Sequence, residues 1–335
     1  MQKKSSLSGF TSGLFNSARF VCDYLDKKKF VESSVALVDN ENQIDYEIVK
    51  FKADVVIIEA IWVTPKKLNE LTELKRHSKR KFIIRIHSKI PFLSNEGQAF
   101  TFITQYLSLK RENILISPNT IDLYKSLKVC FKSDSFLFLP NLYQVSNPFK
   151  KIHLHKRHID ICCFGAIRPM KNTLQQAIAA IDFADTFNLK LYFHINSTRI
   201  EQDPHNCVLK NIIAIFNQSK RHKLVQHAWY SHSEFLSVCK EMDLGLQVSY
   251  SETFNIVAAD LINSGVPVIG SKEIEYLPCI SQANPNSISS IKNKLAIAYA
   301  LPKLISSAQA RKFKNQILEN QVFWDLLINN NRPIQ

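Results

Sequence analysis

Residues 244–271 read LGLQVSYSETFNIVAADLINSGVPVIGS. The apolar run Leu244–Val248 predicts a buried strand, Ser249–Thr253 a polar loop, and the stretch that follows a helix opening at Thr253–Asn255. Gly265 is a natural helix terminator, and Pro267 forbids the helix from continuing before a second strand over Val266–Ile269. A strand, loop and helix in this order leave the first helical N–H groups and the positive end of the helix dipole at the carboxyl edge of a sheet. A diphosphate fits there. Glu252 falls in the loop and Asp260 eight residues later, about two helical turns on and at a similar azimuth. One carboxylate can reach the tip of a ligand and the other a more distant pair of hydroxyls.

Outward from this stretch the same alternation continues in both directions. Strands are predicted at Ser34–Val38, Val55–Glu59, Phe82–Ile86, Ile114–Ser117 and Phe136–Leu139, with helical periodicity at Ser17–Leu25, Pro65–Lys75 and Ala99–Leu107. The pattern pauses from Pro140 through the basic run Lys150–His158. It restarts with strands at His158–Phe164, Leu189–Ile195, Ile212–Ile215, Leu224–Gln226, Leu244–Val248 and Val266–Ile269. Short apolar runs alternating with amphipathic segments predict an α/β chain with parallel sheets. Two doubly wound Rossmann-like domains are expected, 1–145 and 146–310. A last segment, 311–335, belongs to a helix over Ala308–Ile328 that is expected to pack back across the hinge, with Phe313, Ile317, Val322, Phe323, Trp324 and Leu327 as its contacts.

With 335 residues and 45% hydrophobic side chains, each domain has the material for its own core. The apolar runs are shorter than the roughly 18–20 residues of a membrane-spanning helix, and no signal-peptide core follows Met1. A soluble, cytoplasmic protein is expected. Seven scattered cysteines without a C-x-x-C pair indicate neither a disulfide framework nor a zinc site. Lys and Arg number 43 against 29 Asp and Glu, a net +14, which favours anionic partners. The excess is diffuse, with its densest clusters at Lys27–Lys29, Lys75–Lys81 and Lys150–His158.

Three further stretches carry chemistry. In Cys162-Cys163-Phe164-Gly165-Ala166-Ile167-Arg168-Pro169-Met170-Lys171-Asn172, two cations stand beside Gly165 where a strand gives way to a helix, a setting suited to an anionic leaving group. Gly9–Arg19 is a small-residue loop that opens onto a helix and lets backbone approach a ligand at Gly13. Arg85-Ile86-His87-Ser88 closes an apolar strand and places His87 at the carboxyl edge of the first sheet, with Asn95 and Glu96 just beyond. The absence of a D-x-D triplet leaves a metal-bound diphosphate without support.

The 244–271 stretch resembles the E-x7-E signature of retaining glycosyltransferases of the GT-B fold, particularly family 4, here as E-x7-D. The resemblance implies that Glu252 contacts hydroxyls of the transferred sugar and Asp260 the ribose, with Thr253, Phe254, Asn255, Ile256 and Val257 at the donor. In the family the 162–172 region reads roughly G-R-x-x-x-x-K-G. Lys171 falls in register with the lysine, the arginine position is Ala166, and Arg168 is the displaced candidate. Gly13 and Gly165 are implied at the donor, Asn16, His87, Asn95 and Glu96 on the acceptor side, and Glu252, His87 and Lys171 as catalytic. Gln226–Phe235 sits where the family holds the nucleotide base, and two lobes are expected to face each other across a cleft. No cofactor or metal is implied; a nucleotide-sugar, a UDP-sugar first, is the co-substrate.

Ser17–Phe20, Arg85–Gly97 and Ser251–Asp260 are similar to stretches of uncharacterised glycosyltransferases of tailed bacteriophages. That similarity implies the host cytoplasm and a hydroxylated base of double-stranded DNA as acceptor. A cell-surface saccharide or small glycoside, or a GT-B-like binding protein without turnover, remains open.

Overall fold

The computed structural model describes residues 1–3, 12–146 and 157–330. Gly9–Thr11 of the glycine-bearing loop and most of the basic run Lys150–His158 lie outside the described residues. The chain divides into two compact units, one of residues 1–144 with 317–335, the other of residues 145–316.

The first unit contains β1 (Gln2–Lys3), α1 (Ser12–Leu25), β2 (Leu37–Val38), α2 (Ile44–Phe51), β3 (Val55–Glu59), α3 (Pro65–Glu73), β4 (Lys81–Ile86), α4 (Ile90–Leu93), α5 (Ala99–Ser108), β5 (Ile114–Pro118) and α6 (Ile121–Phe131). Strands β3, β4 and β5 are parallel, with Ile57, Ile83 and Leu115 in one row and Glu59, Arg85 and Ser117 in the next odd-numbered row. The two-residue period of the strands separates two apolar layers. Val56, Ile58, Phe82, Ile84, Ile114 and Ile116 pack with residues of α2, α3, α5 and α6. Val55, Ile57, Ile83 and Leu115 pack with Val21 and Trp324. Helix α3 starts where its sequence says it should, since Pro65 takes the first helical position and Thr64 accepts from Lys67 N at 3.1 Å.

The strand expected at Phe136–Leu139 reduces to a single parallel bridge, Phe136 to Ile116. Beyond it the backbone carbonyls serve side chains: Arg85 Nη2 donates to Leu139 O (3.4 Å), Trp324 Nε1 to Pro140 O (2.9 Å) and Asn320 Nδ2 to Asn141 O (2.8 Å). A ladder cannot form from groups already bonded elsewhere.

The second unit contains β6 (His158–Cys162), α7 (Thr173–Thr186), β7 (Lys190–Asn196), α8 (Cys207–Asn217), β8 (Lys223–His227), α9 (His232–Glu241), β9 (Leu244–Gln247), α10 (Ile256–Asn263), β10 (Val268–Gly270) and α11 (Ile288–Ala300). Its five strands are parallel in the order β10-β9-β6-β7-β8. The chain thus runs outward from β6 through β7 to β8 and then crosses back to β9 and β10, so the order reverses between β6 and β9. Ligands of open α/β sheets bind at such a switch point, outside the carboxyl ends of the strands.

The strand expected at Ile212–Ile215 lies inside α8. Val208, Leu209, Ile212, Ile215 and Phe216 repeat at helical spacing and pack against the core. Asp203 accepts from Cys207 N and Val208 N, both at 2.9 Å, and opens that helix. The last helix, α12, runs over Pro302–Asn329, and the division between the units falls within it. In the second unit Gln309 bonds both backbone groups of Val268 (3.1 and 2.6 Å), covering the edge strand β10. In the first unit Trp324 is fully buried and Phe323, 36% exposed, packs edge-on against Phe138 with ring centres 4.8 Å apart, whereas Val322, expected as a contact, stays exposed at 55%. No helix among the described residues is long and apolar enough to cross a membrane.

Candidate active site

The loops after β6 and β9 meet at the switch point of the second unit. After β6, a short 3-10 turn Pro169–Lys171 ends at Asn172, whose left-handed backbone (φ 58°) starts α7. Asn172 Nδ2 donates to Val248 O at 3.1 Å and Pro285 O at 2.9 Å, Tyr250 N donates to Met170 O at 3.0 Å, and Gln176 bridges Lys171 O and Val248 N at 2.7 Å each. These bonds pin the Lys171 turn against the loop that carries Glu252. The Lys171 ammonium donates to Glu252 Oε1, which also accepts from Ser249 Oγ at 2.9 Å. Glu252 is 6% exposed.

Asn255 stands at the start of α10 with φ 52°, a conformation that asparagine tolerates better than most residues. Its carbonyl-side oxygen Oδ1 accepts from Ala258 N at 2.9 Å, and Nδ2 donates to Gln247 Oε1 at 3.0 Å. Since Ala259 N already reaches Asn255 O (3.3 Å), Ile256 and Val257 hold the first-turn N–H groups without a partner inside the helix. Both residues are half-buried, as is Thr253. Gly165, at φ 112°, brings the end of β6 close to α10: a Cβ there would stand 3.6 Å from Val257 Cγ2. Its N–H donates to Asn196 Oδ1 at 3.0 Å.

Asp260 is 2% exposed and paired with His232 Nε2 at 2.8 Å. The Tyr276 hydroxyl donates to Asn255 O at 2.5 Å, and burial, then the charges of Glu252 and Asp260, push its pKa well above the ordinary value. Phe254 packs with Tyr276 and Phe313 and belongs to an aromatic core. Arg168 pairs with Glu201, which Arg199 Nε also reaches at 2.5 Å, and the Arg199 guanidinium lies 4.8 Å from the Trp229 ring centre. Burial pushes the Cys163 thiol up to about 12, so it stays neutral beside Lys171. Lys171, Glu252, Asn255 and the start of α10 are therefore gathered at one edge, Asp260 lies further along α10 and is held by His232, and Arg168 is engaged by Glu201.

In the first unit His87 follows β4 and bonds Glu59 Oε2. Glu59 also accepts from Arg85 Nη1 at 2.9 and 3.2 Å, and Arg85 Nη2 donates to Asn141 Oδ1 at 2.8 Å. Burial alone would raise the Glu59 carboxyl; Arg85 and then His87 outweigh it and hold it well below the usual carboxylate range. Burial also lowers His87, against the pull of Glu59. Helix α1 begins already at Ser12, so Gly13 is exposed in its first turn and Asn16 half-buried in its second. Asn95 and Glu96 are exposed after α4, with Asn95 Nδ2 donating to Pro91 O at 3.1 Å.

Sequence reasoning missed Glu59, Glu201 and Tyr276, and placed His232 only within the stretch expected at the nucleotide base, not on Asp260. Glu59 had a signal, an acid closing the apolar run Val55–Ile58 just as Arg85 interrupts the next strand. The others owe their places to tertiary contacts between distant segments.

No protein family matches the sequence, and no curated protein does. Solved structures do match in fold. A UDP-forming α,α-trehalose-phosphate synthase from Burkholderia xenovorans superposes with a TM-score of 0.64 at 12% identity, over 86% of this chain and 76% of that one. TarM of S. aureus, in a complex that includes UDP and α-GlcNAc-glycerol, gives 0.59 at 12%, over 91% and 60%. The N-terminal domain of a trehalose-6-phosphate phosphatase from Candida albicans gives 0.67 at 10%, over 97% and 95%. The fold is GT-B, with parallel sheets in two Rossmann-like units. Because a phosphatase's domain shares it, chemistry has to be argued from the site.

Proposed function

We propose that the protein is a glycosyltransferase that moves a sugar from a nucleotide-sugar donor, a UDP-sugar first among them, to a hydroxyl acceptor. The observation that carries this reading is the meeting of Lys171 and Glu252 at the switch point, beside the start of α10. The donor diphosphate lies over the N–H groups of Ile256 and Val257. Lys171 turns from Glu252 to the diphosphate, whose charge grows as the glycosidic bond breaks. Glu252, released, accepts from hydroxyls of the sugar, and Asp260 from the ribose. The resemblance of E-x7-D to the signature of retaining enzymes supports a retaining transfer of a hexosyl or pentosyl group, and the lack of a D-x-D triplet supports transfer without a metal. Synthases that form UDP and a TarM complex holding UDP share the fold, which agrees with this choice of donor.

A panel of UDP-, ADP- and GDP-sugars screened by thermal shift tests the reading. A donor at a hundred times its dissociation constant adds about 2.7 kcal/mol of stability. The donor that binds is then assayed for hydrolysis and transfer, with Glu252→Gln expected to lose about a hundredfold or more in kcat. Tight binding without consumption leaves a binding protein instead, and full turnover by the variant removes Glu252 from the catalytic role. For the acceptor, the net charge of +14 favours a hydroxylated base in duplex DNA. Binding through phosphates falls steeply with salt. No duplex binding at low ionic strength would transfer the acceptor role to a saccharide or small glycoside.

A further inference from the structure

Strand β1 holds the place between β2 and β3 for only a short distance. On one side it pairs with β2, Gln2 beside Leu37 and Lys3 beside Val38. On the other, Met1 N donates to Ile57 O and Glu59 N to Met1 O at 2.9 Å, the pattern of a parallel neighbour of β3. Toward the amino ends of β2 and β3 the same place is a cavity of about 1370 Å³, with residues 33–37 along one wall and 53–57 along the other. Val21 and Leu25 of α1 with Leu327 of α12 line one face, Phe51 of α2 lines the other, and Met1 closes the inner end. All of these residues belong to the first unit.

The backbone along this cavity decides what fits it. In β3, Asp54 O accepts from Lys81 N at 3.0 Å and Ala60 N donates to Arg85 O at 2.9 Å, so the even-numbered residues serve β4. The N–H and C=O of Val55 and the N–H of Ile57 face the other way, into the cavity, and have no partner among the described residues. An acyl chain would cover these groups and leave them unpaired, whereas an extended backbone satisfies all of them. Because helices cover both faces of the slot, the strand that fits is a continuous aliphatic run of about five residues, not an alternating one. At the rim Lys29 and Lys50 stand against Glu32, Glu47 and Asp54, without the excess of cations that an anionic lipid or a nucleic acid needs. Phe30, also at the rim, is 99% exposed with φ 66°, a position that neither burial nor backbone preference supports in the free chain.

We propose that this slot is a strand-acceptor site, which binds an extended aliphatic segment of a partner polypeptide laid parallel to β3, in line with β1 and on its amino side. The segment pairs with Val55 and Ile57 along one edge, faces residues 34–36 along the other, and buries its side chains between α1 and α2. The main-chain bonds supply the register and the apolar walls the selectivity for aliphatic side chains. The site lies wholly in the first unit and uses none of the groups assigned to sugar transfer, so the two readings stand or fall separately.

The probe is a fluorescent peptide, acetyl-Lys-Val-Ile-Val-Ile-Val-Lys-amide, titrated into the full chain and followed by anisotropy beside the same peptide N-methylated at alternate residues. Methylation keeps the side chains and removes main-chain donors, so the methylated form is expected to bind at least about tenfold more weakly. Hydrogen exchange of the wild type, read by NMR, is expected to slow at the Val55 and Ile57 amides by about tenfold or more when the unmethylated peptide is bound. Leu25→Arg, which places a charge in the slot without altering the β3 edge, is expected to lose peptide binding while its thermal midpoint stays near that of the wild type. Absence of binding at millimolar peptide overturns the proposal. Equal affinity for the two peptides also overturns it and makes the slot a sink for apolar ligands. Amides of Val55 and Ile57 already protected without peptide show the slot filled by the chain itself in a monomer, or by a second copy in a dimer, and either result removes the partner.

Discussion

Lys171 and Glu252 sit in contact although 81 positions separate them in the chain. Each is mostly withdrawn from solvent, with side-chain exposures of 17% and 7%, and each compensates the other's charge. Removing one partner has two consequences that can be measured apart. Lys171→Met is expected to lower kcat for sugar transfer by about a hundred- to a thousandfold, the scale found when a single charge-stabilising group is lost. The same variant leaves a buried carboxylate without its cation, so its thermal midpoint should fall as well. If transfer proceeds at the wild-type rate in the folded variant, Lys171 has no part in leaving-group stabilisation. Arg168 offers a contrast: its place two residues from the motif's arginine suggested a second clamp, but Glu201 holds it, and no sequence spacing foretold that partner.

Helix α10 shows how an element prepares a site. Its apolar face, Ala258, Ala259, Leu261 and Ile262, is buried, which fixes the axis, and Asn255 fixes the start. Replacing Asn255 by Ala removes the cap bond to Ala258 N and forces a Cβ-bearing residue without a local side-chain bond into left-handed backbone. A loss of about 1–3 kcal/mol is expected in urea unfolding; a loss near zero would show that packing alone places the helix. In α12 the residue that matters is Trp324, fully buried with its N–H on Pro140 O and the Arg85 guanidinium 5.1 Å from its ring centre. Trp324→Ala should cost about 3–5 kcal/mol. The neighbouring exposed Val322 should tolerate polar replacement with little change, which differential scanning calorimetry would show, whereas Phe323 would lose its ring contact with Phe138.

For the whole molecule, two partly buried histidines contribute to the response to acid. His87 and His227 both have folded-state pKa values below the ordinary 6.5, chiefly through burial. Each therefore binds its proton more readily in the unfolded chain. Their contribution to stability is complete above pH 6.5 and is lost as pH falls through the lowered values. Glu59, held below its ordinary 4.5 by Arg85 and His87, adds stability above that pH that is lost at still lower pH. The thermal midpoint should thus be level from pH 8 to 7 and decline steadily from about 6.5 downward. His87→Gln should flatten the upper part of that decline; an unchanged curve would place the acid response elsewhere.

Local patterns sufficed for much of this protein. Val55–Glu59, Phe82–Ile86 and Leu244–Val248 are apolar runs too short for helices, and the Gly265–Pro267 pair stops α10, because strand burial and helix termination are decided within a few residues. Helical pitch alone did not set Glu252 against Asp260, since Glu252 lies in the loop before α10 and left-handed Asn255 stands between them. Ile212–Ile215 misled because a short apolar run reads alike in a strand and in a buried helix face, and Asp203, which opens that helix, lies outside the run. What sequence could not supply were the partners: Glu59 for His87, Glu252 for Lys171, Glu201 for Arg168, His232 for Asp260. Such pairs form only when the fold brings segments distant in sequence side by side, β3 with β4, β6 with β7, β6 with β9 and α9 with α10, and that arrangement is fixed by packing among many residues, not by any one segment.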